Sequence, residues 1–159
     1  ILTTKTKQVK ELTPEIQKLI KDMFATLQAA KGIGLAATQI GSHWNLAVLD
    51  LSQKDEKDGE KYCLINPKII KKRGRESGQE GCLSFPGILL IIPRSKKVIV
   101  EALNEKMQPV KLAAEDLFAR ALQHEIDHLQ GKTFLRYLPV WDQWQVRRII
   151  NKRKKEGKW

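Results

Sequence analysis

The sequence predicts an α+β fold, and three observations carry that prediction. An apolar stripe at helical spacing lies near the start, and short β-type runs separated by polar turns fill the middle. A second helical stripe then carries His124-Glu125-Ile126-Asp127-His128, and a last helix is expected near the C-terminus. At 159 residues the chain is read as one domain over 1–159, long enough to bury an ordinary core.

The first helix opens at Thr13-Pro14-Glu15, with a hydroxyl N-cap, proline at the first helical position and an acid in the first turn. Ile16, Leu19, Ile20, Met23, Phe24 and Leu27 follow at i, i+3, i+4, i+7 spacing, a core-facing stripe that Lys31-Gly32 stops. Leu46 to Leu49 reads as a strand, followed by a charged loop from Gln53 to Lys61. Tyr62 to Ile70, Lys97 to Ala102 and Val110 to Leu112 read as further strands, with Asn104-Glu105-Lys106 as a turn. Glu115 to Gln130 places Leu117, Phe118, Ala121, Leu122 and Ile126 at helical spacing and ends at Gly131. The final helix runs from about Val140 to Lys155, within a basic C-terminal stretch over 140–159.

Composition narrows the functional classes. Apolar content of 42% and charged content of 30% suit a soluble globular chain. The longest apolar run, Ile88 to Ile92, is far short of the ~20 residues of a membrane span, so no membrane association is expected. Two cysteines, Cys63 and Cys82, do not make a disulfide scaffold, and a reducing compartment is the simpler inference. The chain begins at Ile1 with no signal or transit pattern, so an N-terminal piece is expected to have been removed or left out. A balance of 29 basic against 18 acidic residues gives +11, which favours a polyanionic partner.

Residues 124–128 carry the chemistry. Positions i and i+4 of an α-helix lie one turn apart on the same face, so His124 and His128 can reach one metal ion. Glu125 flanks that ion, as in H-E-x-x-H, where the carboxylate is general base toward a metal-bound water. Two of the three histidines in the chain fall at this spacing, and His43 lies in a turn read as exposed. A catalytic site of this type has three protein ligands and keeps a position for water. Cys63 alternates in an apolar strand and reads as a buried small hydrophobe. Cys82, in Glu80-Gly81-Cys82-Leu83-Ser84, is favoured as the third ligand because glycine permits close backbone approach. On these residues alone both cysteines stay open. Asp127 divides evenly between orienting a ligand and lying on the helix surface.

Three separated motifs give the sequence a likeness. Gly32-Ile33-Gly34-Leu35-Ala36-Ala37-Thr38-Gln39, Glu80-Gly81-Cys82-Leu83-Ser84 and Gln123-His124-Glu125-Ile126-Asp127-His128-Leu129 resemble the G-x-G-L-A-A-x-Q, E-G-C-L-S and Q-H-E-x-D-H-L of the peptide deformylases. The resemblance implies antiparallel β-sheets packed around a central metal-binding helix, and removal of the formyl group from formyl-Met of nascent peptides, with release of formate. It implies Cys82, His124 and His128 as metal ligands and Glu125 as general base, then acid. Gln39 and the Leu83 N–H would be donors to the developing oxyanion, and Ile33, Gly34 and Gly81 would pair with the substrate backbone. Glu80 and Arg94 would buttress the cysteine loop, against the alternative of a surface salt bridge. Leu117, Ala121 and Ile33 are candidate walls of a methionine pocket, with core packing as their alternative. Fe²⁺ is the implied physiological metal, with Zn²⁺ or Ni²⁺ able to take the same ligands. A monomer in a bacterial-type cytoplasm, or in an organelle of bacterial descent, is expected.

Other classes remain in view. One is a different H-E-x-x-H metallohydrolase, such as a metallopeptidase; no histidine follows His128, and Glu156 is the formally available third ligand. Another is a basic ribosome- or RNA-binding module whose metal is structural. From Arg147 to Trp159 seven cations face a single acid, Glu156, with Trp141, Trp144, Ile149 and Ile150 on an apolar side. That pattern suits either a solvated helix end or ribosome docking. The Phe85 to Ile92 segment is more apolar than in many deformylases.

Overall fold

The Thr13 hydroxyl accepts the Ile16 N–H at 3.3 Å and opens helix α1, Pro14–Ala29. Its stripe of Ile16, Ile20, Met23 and Leu27 is buried against Leu35, Leu46, Val48 and Ile65. The computed structural model describes residues 4–52 and 60–158. The charged loop expected from Gln53 to Lys61 falls outside the described residues, apart from Glu60 and Lys61.

Among the described residues, seven strands follow in chain order: β1 (Gly34–Ala36), β2 (Leu46–Asp50), β3 (Lys61–Arg73), β4 (Glu76–Gly81), β5 (Leu89–Arg94), β6 (Lys97–Leu103) and β7 (Pro109–Glu115). All pair antiparallel, β1-β2-β3-β6-β7 as one sheet and β4-β5 as a separate hairpin. β3 runs three residues past the predicted Ile70, because its exposed far end still pairs with β6 from Lys71 through Arg73. Asn66 marks a register shift within it at φ +53, a conformation asparagine tolerates. The Asn66 side chain holds Val9 from both sides, accepting its N–H at 2.9 Å and donating to its carbonyl at 2.8 Å. The sequence reading did not place β1, β4 or β5.

Helix α2, Asp116–Leu129, lies within the two-residue margin of its predicted bounds. Every residue from Ala121 through Ile126 is buried, which marks a central helix rather than a surface one. Ala119, Leu122 and Ile126 pack on the large sheet with Leu49, Leu64 and Val100. Gln123 ties the helix to the β5–β6 turn: its carbonyl accepts the Ser95 N–H at 3.0 Å and its amide donates to Ser95 O at 2.8 Å. The histidines are thereby aimed toward the β4–β5 hairpin.

Helix α3, Val140–Lys155, matches the predicted bounds but not the predicted apolar face. Only Val146 and Ile150 are buried, packed with Ile88, Ile92 and Phe134, while Trp141, Trp144 and Ile149 are exposed. The reason is that the apolar packing of the helix on the body is confined to the Val146 and Ile150 side. Among the described residues, no helix is long and apolar enough to cross a membrane.

Because Leu122 is fully buried between α2 and the sheet, Leu122→Ala should lower unfolding free energy by ~2–5 kcal/mol in a urea titration. A loss under about 1 kcal/mol would place the sheet–helix contact elsewhere.

Candidate metal centre

Two elements converge below an open cleft of about 550 Å³. The residue after β4 supplies Cys82, and α2 supplies His124 and His128 one turn apart. His128 Nε2 lies 3.1 Å from His124 Nε2 and 3.2 Å from Cys82 Sγ, and all three residues are buried. Three lone-pair atoms at such separations repel one another unless a proton or a cation lies between them. Tetrahedral ligation at bond lengths of ~2.0–2.3 Å separates ligand atoms by roughly 3.3–3.6 Å, close to the observed spacing. The donor set and the two short sides, with all three ligand atoms within 4.8 Å of one another, therefore suit a divalent ion. Among the described residues, this is the one group of three or more such side chains that could hold a metal.

The electrostatics agree. Burial disfavours charge on both imidazoles, yet contact with Cys82 and Glu80 raises His124 to about 10. Burial and then the charge of His124 push His128 down to about 3. The thiol and carboxylate around His124 thus favour positive charge at this spot, while His128 is driven toward its neutral form. A metal cation would satisfy the same field.

Glu80 and Arg94 do not form the surface salt bridge that was the alternative reading. Both are buried, and Arg94 donates to Glu80 from Nε at 2.8 Å and Nη2 at 3.0 Å. Glu80 Oε2 lies 2.9 Å from His124 Nδ1, so it fixes the ring with Nε2 turned to the cluster. Burial would raise the Glu80 carboxyl, but His124 and Arg94 hold it down at about 2. Asp127 touches neither imidazole. It accepts from Arg94 Nη1 at 2.5 Å and from the Tyr137 hydroxyl at 2.7 Å, while Arg94 stacks 4.6 Å from the Tyr137 ring. Its part is thus indirect, bracing the arginine that braces Glu80.

Arg120 was missed by sequence reasoning. From α2 its Nη1 donates to Glu80 Oε1 and to Ile92 O, both at 2.8 Å, and its Nη2 to Glu76 O at 2.9 Å. A β-carbon on Gly78 would lie 2.9 Å from this guanidinium, so the hairpin needs glycine there. The available signal was an arginine one turn before His124, on the same face of an otherwise apolar stripe.

The remaining predicted residues line the cleft. Glu125 is fully enclosed, and burial, against the pull of His124, pushes it up to about 7. A β-carbon on Gly34 would come within 2.5 Å of Glu125 Oε1, so this glycine permits the closest approach of β1 to the carboxylate. Gln39 accepts the Ala36 N–H at 2.7 Å, which turns its amide toward Ser84 Oγ at 3.1 Å and Cys82 Sγ at 3.7 Å. Leu83, Gly81 and Ile33 lie on the cleft walls, with Leu117 and Ala121. Cys63 is buried away from the cluster, its thiol pushed up to about 12 by burial. His43 is exposed, and Glu156 pairs with Lys158 beyond α3.

A buried Cys/His/His cluster with an enclosed carboxylate, at the foot of a cleft walled by strand edges, defines an enzyme of the amide-hydrolase type. The polypeptide deformylase family model matches residues 1–144. The fold is similar to a peptide deformylase from Legionella pneumophila, at 38% identity and TM-score 0.90, covering 98% of this chain and 90% of that one. A peptide deformylase from Ehrlichia chaffeensis superposes at TM-score 0.91 with 34% identity, covering 98% and 92%. Peptide deformylase 1B of Arabidopsis thaliana, in complex with an inhibitor, superposes at TM-score 0.88 with 30% identity, covering 99% and 87%. The chain belongs to the polypeptide deformylase family.

Because the Glu80 carboxyl lies below its ordinary value of 4.5, its contribution to stability is fully present above that pH. It is lost as pH falls from 4.5 toward 2. Glu80→Gln should therefore show a flatter stability–pH curve in that window than the parent, measured by denaturant titration. Parallel curves would remove Glu80 as the acid-sensitive group.

Proposed function

We propose that this chain removes the N-formyl group from formyl-methionine at the start of nascent polypeptides, releasing formate. The observation that carries the reading is the convergence of Cys82, His124 and His128 beside the enclosed Glu125. A divalent ion on those three ligands would polarise the formyl carbonyl and acidify a water to a pKa of about 7. Fe²⁺ is the proposed physiological ion, with Zn²⁺ or Ni²⁺ compatible with the same donors.

The protein's own groups divide the remaining work. Glu125, with a pKa near neutrality, takes the proton of the attacking water and returns it to the leaving amine. The Gln39 amide and the Leu83 N–H donate to the oxygen as negative charge builds on it. Gln39 is preorganised for this because its own carbonyl is already bound by Ala36. The outer edge of β1 at Gly34, with Ile33 just before it and Gly81 across the cleft, offers main-chain groups to an extended peptide. Leu117 and Ala121 supply apolar wall for the methionine side chain.

The whole of 1–159 is read as one catalytic domain that acts as a monomer in a bacterial-type cytoplasm or an organelle of that descent. The basic α3 is read as a ribosome-facing element. Trp144 and Trp141 stack with centroids 5.2 Å apart, and Arg148 lies 4.7 Å over Trp144, an exposed cationic and aromatic surface suited to RNA.

Three measurements test the reading. The metal-loaded protein should release formate from formyl-Met-Ala-Ser and leave an internal-cleavage peptide intact; the reverse would indicate a metallopeptidase. Glu125→Ala should retain metal yet lose turnover, whereas Cys82→Ala should lose metal affinity. Near-normal turnover by Glu125→Ala would refute the assigned base. Gln39→Ala should lower kcat by roughly 10²–10³-fold, about 2.7–4 kcal/mol for one oxyanion donor.

A further inference from the structure

We propose that Arg153, near the end of the C-terminal helix, is a positioning residue for the substrate cleft, clamping the Pro86–Gly87 lip through the Pro86 carbonyl. The inference rests on the proposed peptide substrate only for its kinetic readout.

Four observations converge. Arg153 Nη1 donates to Pro86 O at 2.9 Å, a bond spanning 67 residues of sequence. Gly87 holds φ +72, and a β-carbon there would come 3.0 Å from the same nitrogen, so the lip leaves room for the guanidinium. Pro86 and Gly87 themselves line the cleft, on the wall that begins at Cys82 and Leu83. Beneath them, Val146 and Ile150 of α3 share one apolar cluster with Cys82, Ile88 and Phe134.

Phe85 and Ile88 anchor the two ends of this lip by packing into the α3 cluster, whereas Pro86 and Gly87 between them are exposed. Between Cys82 and Ile88 the chain makes two successive turns, closed by Phe85 N–H to Cys82 O at 2.9 Å and Ile88 N–H to Phe85 O at 3.2 Å. The Pro86 carbonyl projects from the second turn. A charged donor anchored on a helix lowers the freedom of that carbonyl, and so of the wall that a bound peptide must meet. Arg153 is only partly exposed, whereas Lys152 beside it is exposed. The two cations are therefore not equivalent parts of one charge run.

The test compares Arg153→Ala, Arg153→Gln and Arg153→Lys with Lys152→Ala, all as full-length metal-loaded protein. Arg153→Ala should raise KM for a formyl-Met tripeptide by roughly tenfold, the scale of one hydrogen bond from a charged donor. kcat and metal content should stay unchanged, and amide hydrogen exchange across residues 83–89 should quicken. Arg153→Lys, which keeps a charged donor, should recover most of the affinity, and Arg153→Gln should lie between. Lys152→Ala should change nothing. Unchanged KM and exchange in Arg153→Ala, or an equal effect from Lys152→Ala, would overturn the proposal, as would joint loss of kcat and metal. If the parent releases no formate, the functional reading fails, while hydrogen exchange still decides the clamp.

Discussion

The structure depends on one buried carboxylate. Glu80 receives Arg94 through two nitrogens, Arg120 through a third, and faces His124 Nδ1. Those partners belong to the β4–β5 hairpin and to α2, two elements that share no sheet and join through few apolar contacts. An unpaired carboxylate at this depth would be costly, so the hairpin and helix are held at the separation at which every Glu80 oxygen is satisfied. Cys82 follows Glu80 by two residues. The geometry that satisfies the carboxylate therefore also brings the sulfur to the imidazoles.

A second tier supports the first. Asp127 and Tyr137 hold Arg94 from the far side, and Gln123 pins α2 to the β5–β6 turn. Each polar side chain in this run has a partner on a different element, so displacing one group disturbs several. Packing alone tolerates exchange among apolar side chains of similar volume, whereas directional bonds of this kind select one arrangement. The cluster needs that selectivity, because a displacement of about 1 Å separates a working site from an idle one.

Much of this was legible in the sequence because the signals were local. Thr13-Pro14 and the stripe through Leu27 specified α1 without help from the rest of the chain, and H-E-x-x-H carried its geometry in its own spacing. The β4–β5 hairpin was not legible. Glu76 to Gly81 alternates nothing apolar, and Leu89 to Ile92 is a continuous run that fits helix or strand equally. Its pairing is braced from outside by Arg120, which is distant in sequence. β1 is three residues long and takes its form from β2. The exposed tryptophans of α3 were read as an apolar face because composition reports which residues are present, not how much surface the body offers them.

β1 is also the last strand of its sheet, and one flank of its backbone looks into the cleft. Such a flank presents amides and carbonyls, which every polypeptide carries in the same register whatever its side chains. Under the proposed function, recognition made there would be indifferent to the message that was translated. Only the first side chain and its cap would need to be distinguished, so one small catalyst would serve an entire proteome without a separate binding code for each product.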